Sequence, residues 1–182
     1  MRALAIVSLA LLVGQGTRQG SPEEPLPANI TRLTHFGERA SWSPDDTRIA
    51  FMEKSFGDAY EVDVATRTIR LLTHYPHAGF LRVQFLPNGD YFLIGARTFA
   101  DIQTTRSRDQ EMWVLKGAAK PGDRPLALDH KISEGVAISK RSMKIAWSNT
   151  RGQYPDLLTQ DESVIFTAEI VYDGAQPRLV NR

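Results

Sequence analysis

With 182 residues, 42% hydrophobic and 24% charged, the chain has the size and composition of one ordinary globular domain. A net charge of +1 with no run of Lys and Arg excludes the electrostatic footprint of a nucleic-acid binder or an anionic-membrane binder. The absence of Cys removes disulfides and thiolate metal sites alike.

The chain opens with Arg2 and an apolar run over residues 3–13, interrupted only by Ser8, with Gly14, Gly16 and Gly20 behind it. The run is too short to cross a bilayer as a helix and has the form of a secretory signal. Residues 1–20 are therefore expected to be a signal peptide, cleaved between Gly16 and Gly20. A buried N-terminal helix is the alternative, but the run has neither a polar face nor a cap. No Cys follows it, so no lipoprotein anchor is expected and the mature chain has no membrane span. Export without disulfides is compatible with a bacterial periplasm. Residues 21–29, with Pro22, Pro25 and Pro27, read as an extended, solvated linker.

From Ile30 the chain repeats. Leu33-Thr34-His35, Leu72-Thr73-His74 and Leu128-Asp129-His130 each head a unit. Trp42–Phe51 (WSPDDTRIAF) matches 85–94 (FLPNGDYFLI) and, more weakly, 138–147 (ISKRSMKIAW). Each copy predicts a strand, a tight turn and a second strand. Trp42, Pro44 and Asp45 in the first copy, and Pro87, Asn88 and Gly89 in the second, are the turn residues. Proline presets φ, Asp and Asn bond the local backbone, and Asn88-Gly89 supplies the positive-φ geometry that Asp45-Asp46 must manage without glycine.

Four strands, a to d, are predicted per unit. In the first they lie at 40–43, 48–52, 60–64 and 68–72, with Tyr60, Val62 and Val64 alternating with Glu61 and Asp63 as in a half-exposed strand. In the second they lie at 81–85, 91–94, 111–115 and 125–128, and in the third at 136–138, 144–147, 164–171 and 178–180. Residues 91–94 are apolar without interruption, which predicts a strand covered on both faces. No amphipathic helix competes, so the fold class is all-β.

A tandem of four-stranded antiparallel units predicts a β-propeller, with blades at about 38–72, 79–128 and 134–182 inside a domain at 30–182. A β-sandwich with accidental repetition is the competing architecture; recurrence of the Leu-Thr-His and turn elements in phase favours the propeller. A Leu-Thr pair, a strand ending in Trp42-Ser43-Pro44-Asp45, and then Ile49-Ala50-Phe51 resemble the exported bacterial repeat of the TolB-like β-propellers. The likeness covers 30–182 but is strong only over 33–51, and Asp46 stands where the family usually has Gly. The resemblance implies a six- or seven-bladed ring that contacts proteins or ligands in the cell envelope, with no catalytic group to carry over.

Three blades are fewer than a closed ring needs. Residues 29–34 resemble 68–73, and 30–34 are therefore expected as an outer closing strand lacking its own blade. Either the polypeptide is part of a longer propeller or a homodimer pairs three blades with three.

Strand parity places the d–a and b–c links on one face, here the upper face. Both long b–c links, 96–110 and 148–162, fall there. Long loops of this kind commonly carry binding. His35, His74 and His130 occupy equivalent d–a positions, and His77 follows nearby. They are candidate binding residues, or simply polar turn residues; as a metal set they suffer from the separation of equivalent blade positions. Arg97 and Arg106, with Arg108 and Arg151, suit an anionic ligand or an acidic partner surface, unless loop carboxylates compensate them. Tyr154 and Asp156 flank Pro155 as an anchor or a plain turn. No Gly-x-Ser-x-Gly, phosphate-cradling loop or His-Glu-x-x-His occurs, so neither a catalytic residue nor a cofactor is expected. The leading expectation is a non-enzymatic envelope scaffold whose partner is a protein or small ligand. The alternatives are the propeller portion of an envelope hydrolase without its catalytic domain, and a truncated gene product.

Overall fold

The computed structural model describes residues 26–182; the signal-like run and most of the linker lie outside the described residues. The chain divides into two units between Arg32 and Leu33. The described part of the first is a turn closed by the Ile30 N–H on the Pro27 carbonyl at 2.9 Å.

The second unit is all-β and consists of three four-stranded antiparallel sheets, each ordered in space as in sequence. The first sheet contains β1 (Glu38–Trp42), β2 (Arg48–Met52), β3 (Ala59–Asp63) and β4 (Ile69–Leu71). The second contains β5 (Phe80–Phe85), β6 (Tyr91–Gly95), β7 (Glu111–Leu115) and β8 (Leu126–Lys131). The third contains β9 (Val136–Ile138), β10 (Lys144–Thr150), β11 (Ser163–Asp173) and β12 (Gln176–Val180). These are three consecutive propeller blades. Residues 30–34 join no ladder among the described residues, and the outer edge of the third blade is already held by β12.

Neighbouring blades stack face to face, and the two junctions are the core. Ala50, Met52, Ala59 and Leu72 of the first blade pack on Phe80, Val83, Phe85, Tyr91, Leu93 and Leu115 of the second. On its other face the second blade presents Leu81, Phe92, Ile94, Met112 and Val114 to Ile145, Trp147, Ala168 and Ile170 of the third. Every residue of β6 is buried because its odd positions face one neighbour and its even positions the other. That accounts for its unbroken apolar sequence. Each large side chain sealed in these junctions contributes about 1.5–3 kcal/mol relative to exposure.

Three expectations need correction. Glu61, expected on a solvated face, is only 7% exposed. Its carboxylate accepts hydrogen bonds from Arg48 at 3.1 Å, Arg70 at 2.8 Å and the Tyr91 hydroxyl at 2.5 Å, so a charged cluster crosses the first junction. Leu128-Asp129-His130 is not a link but part of β8: Asp129 turns left-handed at φ 53° and the register against β7 shifts there. The a–b turns also differ in length. The Ser43 N–H bonds the Arg48 carbonyl, whereas the Leu86 N–H bonds the Asp90 carbonyl. The second copy is thus one residue shorter, and Ile49, not Arg48, corresponds to Tyr91.

Asp46 does take a left-handed conformation, φ 57°, at the place where Gly89 has φ 83°. Asp45 accepts hydrogen bonds from the Ser43 hydroxyl and from the Thr47 hydroxyl and N–H; these hold its carboxyl down at about 2.

Candidate functional site: the upper-face loops

The two long b–c links are folded. In the first, the Asp101 carboxylate caps a helical turn by accepting the Thr104 N–H at 2.8 Å, and the chain continues as a π-helical stretch, Thr105–Asp109. Gln110, fully buried, donates from Nε2 to the Thr105 carbonyl at 3.1 Å and so fixes the base of the loop. This helical piece was not anticipated, since the segment is too short to show a periodic apolar stripe.

The second long link docks on the first. Gln153 donates from Nε2 to the Ser107 carbonyl, and its Oε1 accepts the Thr150 N–H at 2.8 Å. Gly152 lies so close that a Cβ there would stand 2.2 Å from the Ser107 carbonyl oxygen. Between the two loops is an open cleft of about 420 Å³, with Ser107, Arg108, Thr150, Arg151, Pro155 and Gln160 in its walls. Sequence reasoning missed Ser107, Gly152 and Gln153. A glycine within Arg151-Gly152-Gln153 was the one available hint of a close approach.

Of the expected binding residues, the histidines do not assemble. The ring of His77 accepts the Gly79 N–H on Nδ1 at 2.8 Å, so Nε2 carries the proton and donates to Asp58 at 2.8 Å. Asp58 also accepts the Thr73 hydroxyl at 2.6 Å, and Thr73 in turn accepts the Ala59 N–H. His77 and the Leu-Thr motif therefore clamp the d–a link onto the first b–c turn, which is a structural task. His130 lies within β8 with Nδ1 at 2.8 Å from the Leu128 carbonyl; His35 and His74 are exposed. Among the described residues no three His, Asp or Glu side chains gather as metal ligands.

Arg97 is held by Glu111 at 2.9 Å and Asp129 at 2.7 Å, with its guanidinium 5.0 Å from the Trp113 ring centroid. With His77 it lines a hollow of about 250 Å³ beside Tyr75, Phe80 and Arg124. Arg106 makes a forked pair with Glu134, tying the first long loop to the link before β9. Arg108 pairs with its neighbour Asp109 at 2.7 Å. The compensating carboxylates are thus real, but three of them come from β7, β8 and the d–a link, not from the loops. Arg151 is exposed and in no ion pair among the described residues. Tyr154 is half-buried, its carbonyl accepting the Leu157 and Leu158 N–H groups, while Asp156 is exposed. This segment is a turn.

The cleft therefore offers hydroxyls, backbone, one unpaired guanidinium and one exposed pair. An adjacent-residue ion pair at the surface is worth little and opens readily to a better acceptor.

Three comparisons bear on the chain. No family model matches the sequence, and no curated protein matches it. Among solved structures, one assigned as TolB from Agrobacterium tumefaciens superposes with a TM-score of 0.54 at 12% identity, covering 75% of this chain and 47% of that one. TolB from Acinetobacter baumannii gives a TM-score of 0.49 at 15% identity, covering 73% and 29%. The chain spans less than half the length of either structure. At 12% identity the first of these likenesses concerns the fold alone: a TolB-like propeller, present here as three blades among the described residues.

Proposed function

We propose that the chain is an exported, non-enzymatic propeller scaffold of the cell envelope that binds a protein or small ligand bearing acidic groups in the cleft between its two long upper-face loops. The observation that carries this reading is the docking of one long loop on the other through Gln153, Gly152 and Ser107, which leaves Arg108 and Arg151 on opposite walls of one cleft. Two guanidiniums on a pre-organised frame recognise carboxylates with little ordering cost. The Arg97 hollow serves the reading less well, because strand carboxylates already neutralise that arginine. The signal-like run at 3–13 supports export.

Isothermal titration with a Glu-rich peptide tests the proposal, with glutarate as a small dicarboxylate control. Saturable binding that weakens about tenfold or more in an Arg108→Ala/Arg151→Ala variant is expected, at a typical 1.5–3 kcal/mol per charged hydrogen bond. Binding that ignores both substitutions, or no saturable binding of either probe, refutes it.

A further inference from the structure

The repeat supplies an internal template for what belongs on the two outer blade faces. By register, the head of the b strand is Arg48 in the first blade, Asp90 in the second and Lys144 in the third, since Ser43, Leu86 and Ser139 each donate to that residue's carbonyl. At both internal junctions this residue is tied to a tyrosine of the next blade. Arg48 reaches the Tyr91 hydroxyl at 3.3 Å, and Asp90 accepts the Tyr172 hydroxyl. Arg48 also stacks over Phe85, the last residue of the next blade's a strand, at 5.2 Å from the ring centroid. Lys144 holds this position in the third blade, exposed and in no ion pair among the described residues. Beside it Ala137, Ala146, Thr167 and Glu169 line a hollow of about 550 Å³. Ala146 corresponds to Ala50, the small residue that admits the second blade onto the first.

The outer face of the first blade carries the matching half. Phe51 and Tyr60 stack with ring centroids 5.7 Å apart, as Trp147 and Phe166 do at 5.6 Å where the third blade packs on the second. On the first blade Phe36 covers this pair edge-on at 5.5 and 5.3 Å and is itself 42% exposed, so its ring is what the outer face presents there. Trp42 stands where Phe85 and Ile138 stand at the internal junctions, yet it is 54% exposed, and Ile69 on the same face is 40% exposed. Ser41, the residue before Trp42, points to the second blade and accepts the Phe85 N–H, so Trp42 points away from it.

We propose that a second copy of this chain docks the Trp42 face of its first blade into the Lys144–Ala146 hollow of the third blade, and that the reciprocal contact closes a two-fold ring of six blades. Trp42 then sits over Lys144 as Phe85 sits over Arg48, a cation–π contact sealed from water. By the internal register the two halves of this junction lie on the two outer faces of the same chain, which makes a second copy the matching occupant, and six blades lie within the range of known rings. Both junctions are identical under the two-fold axis, so assembly stops at two copies.

Light scattering of the purified chain across concentration tests this. A mass of twice that of the purified polypeptide is expected. Trp42→Ala and Lys144→Glu, at exposed positions that leave the internal junctions intact, should each weaken dimerisation about tenfold or more. An equimolar mixture of the two variants should dimerise better than either alone, because one of its two junctions is wild type on both sides. Circular dichroism keeps track of folding in each variant. The chain has no Cys, so a Trp42→Cys copy mixed with an Ala146→Cys copy should give a disulfide-linked pair. A monomer at all concentrations, an assembly of other than two copies, or a dimer indifferent to both substitutions overturns the proposal.

Discussion

Tyr91→Phe removes a single hydroxyl from the first blade junction, and the structure allows its cost to be worked out. The hydroxyl donates to Glu61 at 2.5 Å and accepts from Arg70 at 3.0 Å and Arg48 at 3.3 Å. Tyr91 is fully buried, and burial followed by the bond to Glu61 pushes its phenol well above the usual range, so it donates at every pH of interest. Hydrogen bonds to charged groups are worth about 1.5–3 kcal/mol each, but Glu61 keeps both arginines when the hydroxyl goes. A net loss of about 2 kcal/mol is expected, equivalent to a fall of about 4–8 °C in Tm for a domain of this size. Urea denaturation of wild type and variant is the assay, with an unchanged m-value as the check that the fold is retained. A double-mutant cycle with Arg70→Met should show coupling above about 0.5 kcal/mol. A loss below about 0.5 kcal/mol with no coupling would refute the view that this cluster holds the first two blades together.

Other expectations follow from particular residues. Asp46→Gly should stabilise the chain by about 0.5–1 kcal/mol, because the left-handed backbone there is unfavourable for any side chain; thermal denaturation reads it. Gly152→Ala should push the second long loop off the first, raising amide exchange across 105–109 and 150–155 while leaving that of β6 unchanged. The second junction should be acid-sensitive. Burial works against ionisation of Asp90, but the bonds from Tyr172 and the Gly117 N–H, with the Lys116 ammonium, hold its carboxyl below the ordinary range. Its contribution is therefore complete above about pH 4, the unfolded value, and is lost as pH falls through the lower folded value. Denaturation midpoints measured from pH 5 downward should fall less steeply in Tyr172→Phe than in wild type.

Much of the fold is legible in the sequence where a strand's environment is uniform. Tyr91–Gly95 has both faces against apolar neighbours, so composition alone announces its burial. Glu61 was opaque for the opposite reason. Alternation around it has the period of a half-solvated strand, and its partners lie on β2, β4 and the next blade, a juxtaposition that only register creates. The one-residue difference between the first two turns was hidden because Trp42-Ser43-Pro44 and Phe85-Leu86-Pro87 align well; the slip comes after the prolines, where Asp46 and Gly89 do the same backbone work. The upper face was located correctly by strand parity, but its chemistry was not. Compensation of Arg97 and Arg106 was open to expectation from loop aspartates, but Glu111, Asp129 and Glu134, which supply it, are distant in sequence. His77 stayed open between ligand and polar turn residue because nothing in the sequence ties it to Asp58.

Where an acidic ligand binds is the most direct test of the upper-face cleft. Titrating a Glu-rich peptide into isotopically labelled chain and following backbone amide shifts gives the answer residue by residue. Saturable shifts confined to 105–109 and 150–155, and absent in the Arg108→Ala/Arg151→Ala variant, are predicted. Shifts centred on the opposite face, at Pro44–Asp46 and Pro87–Gly89, or none that saturate, would contradict it.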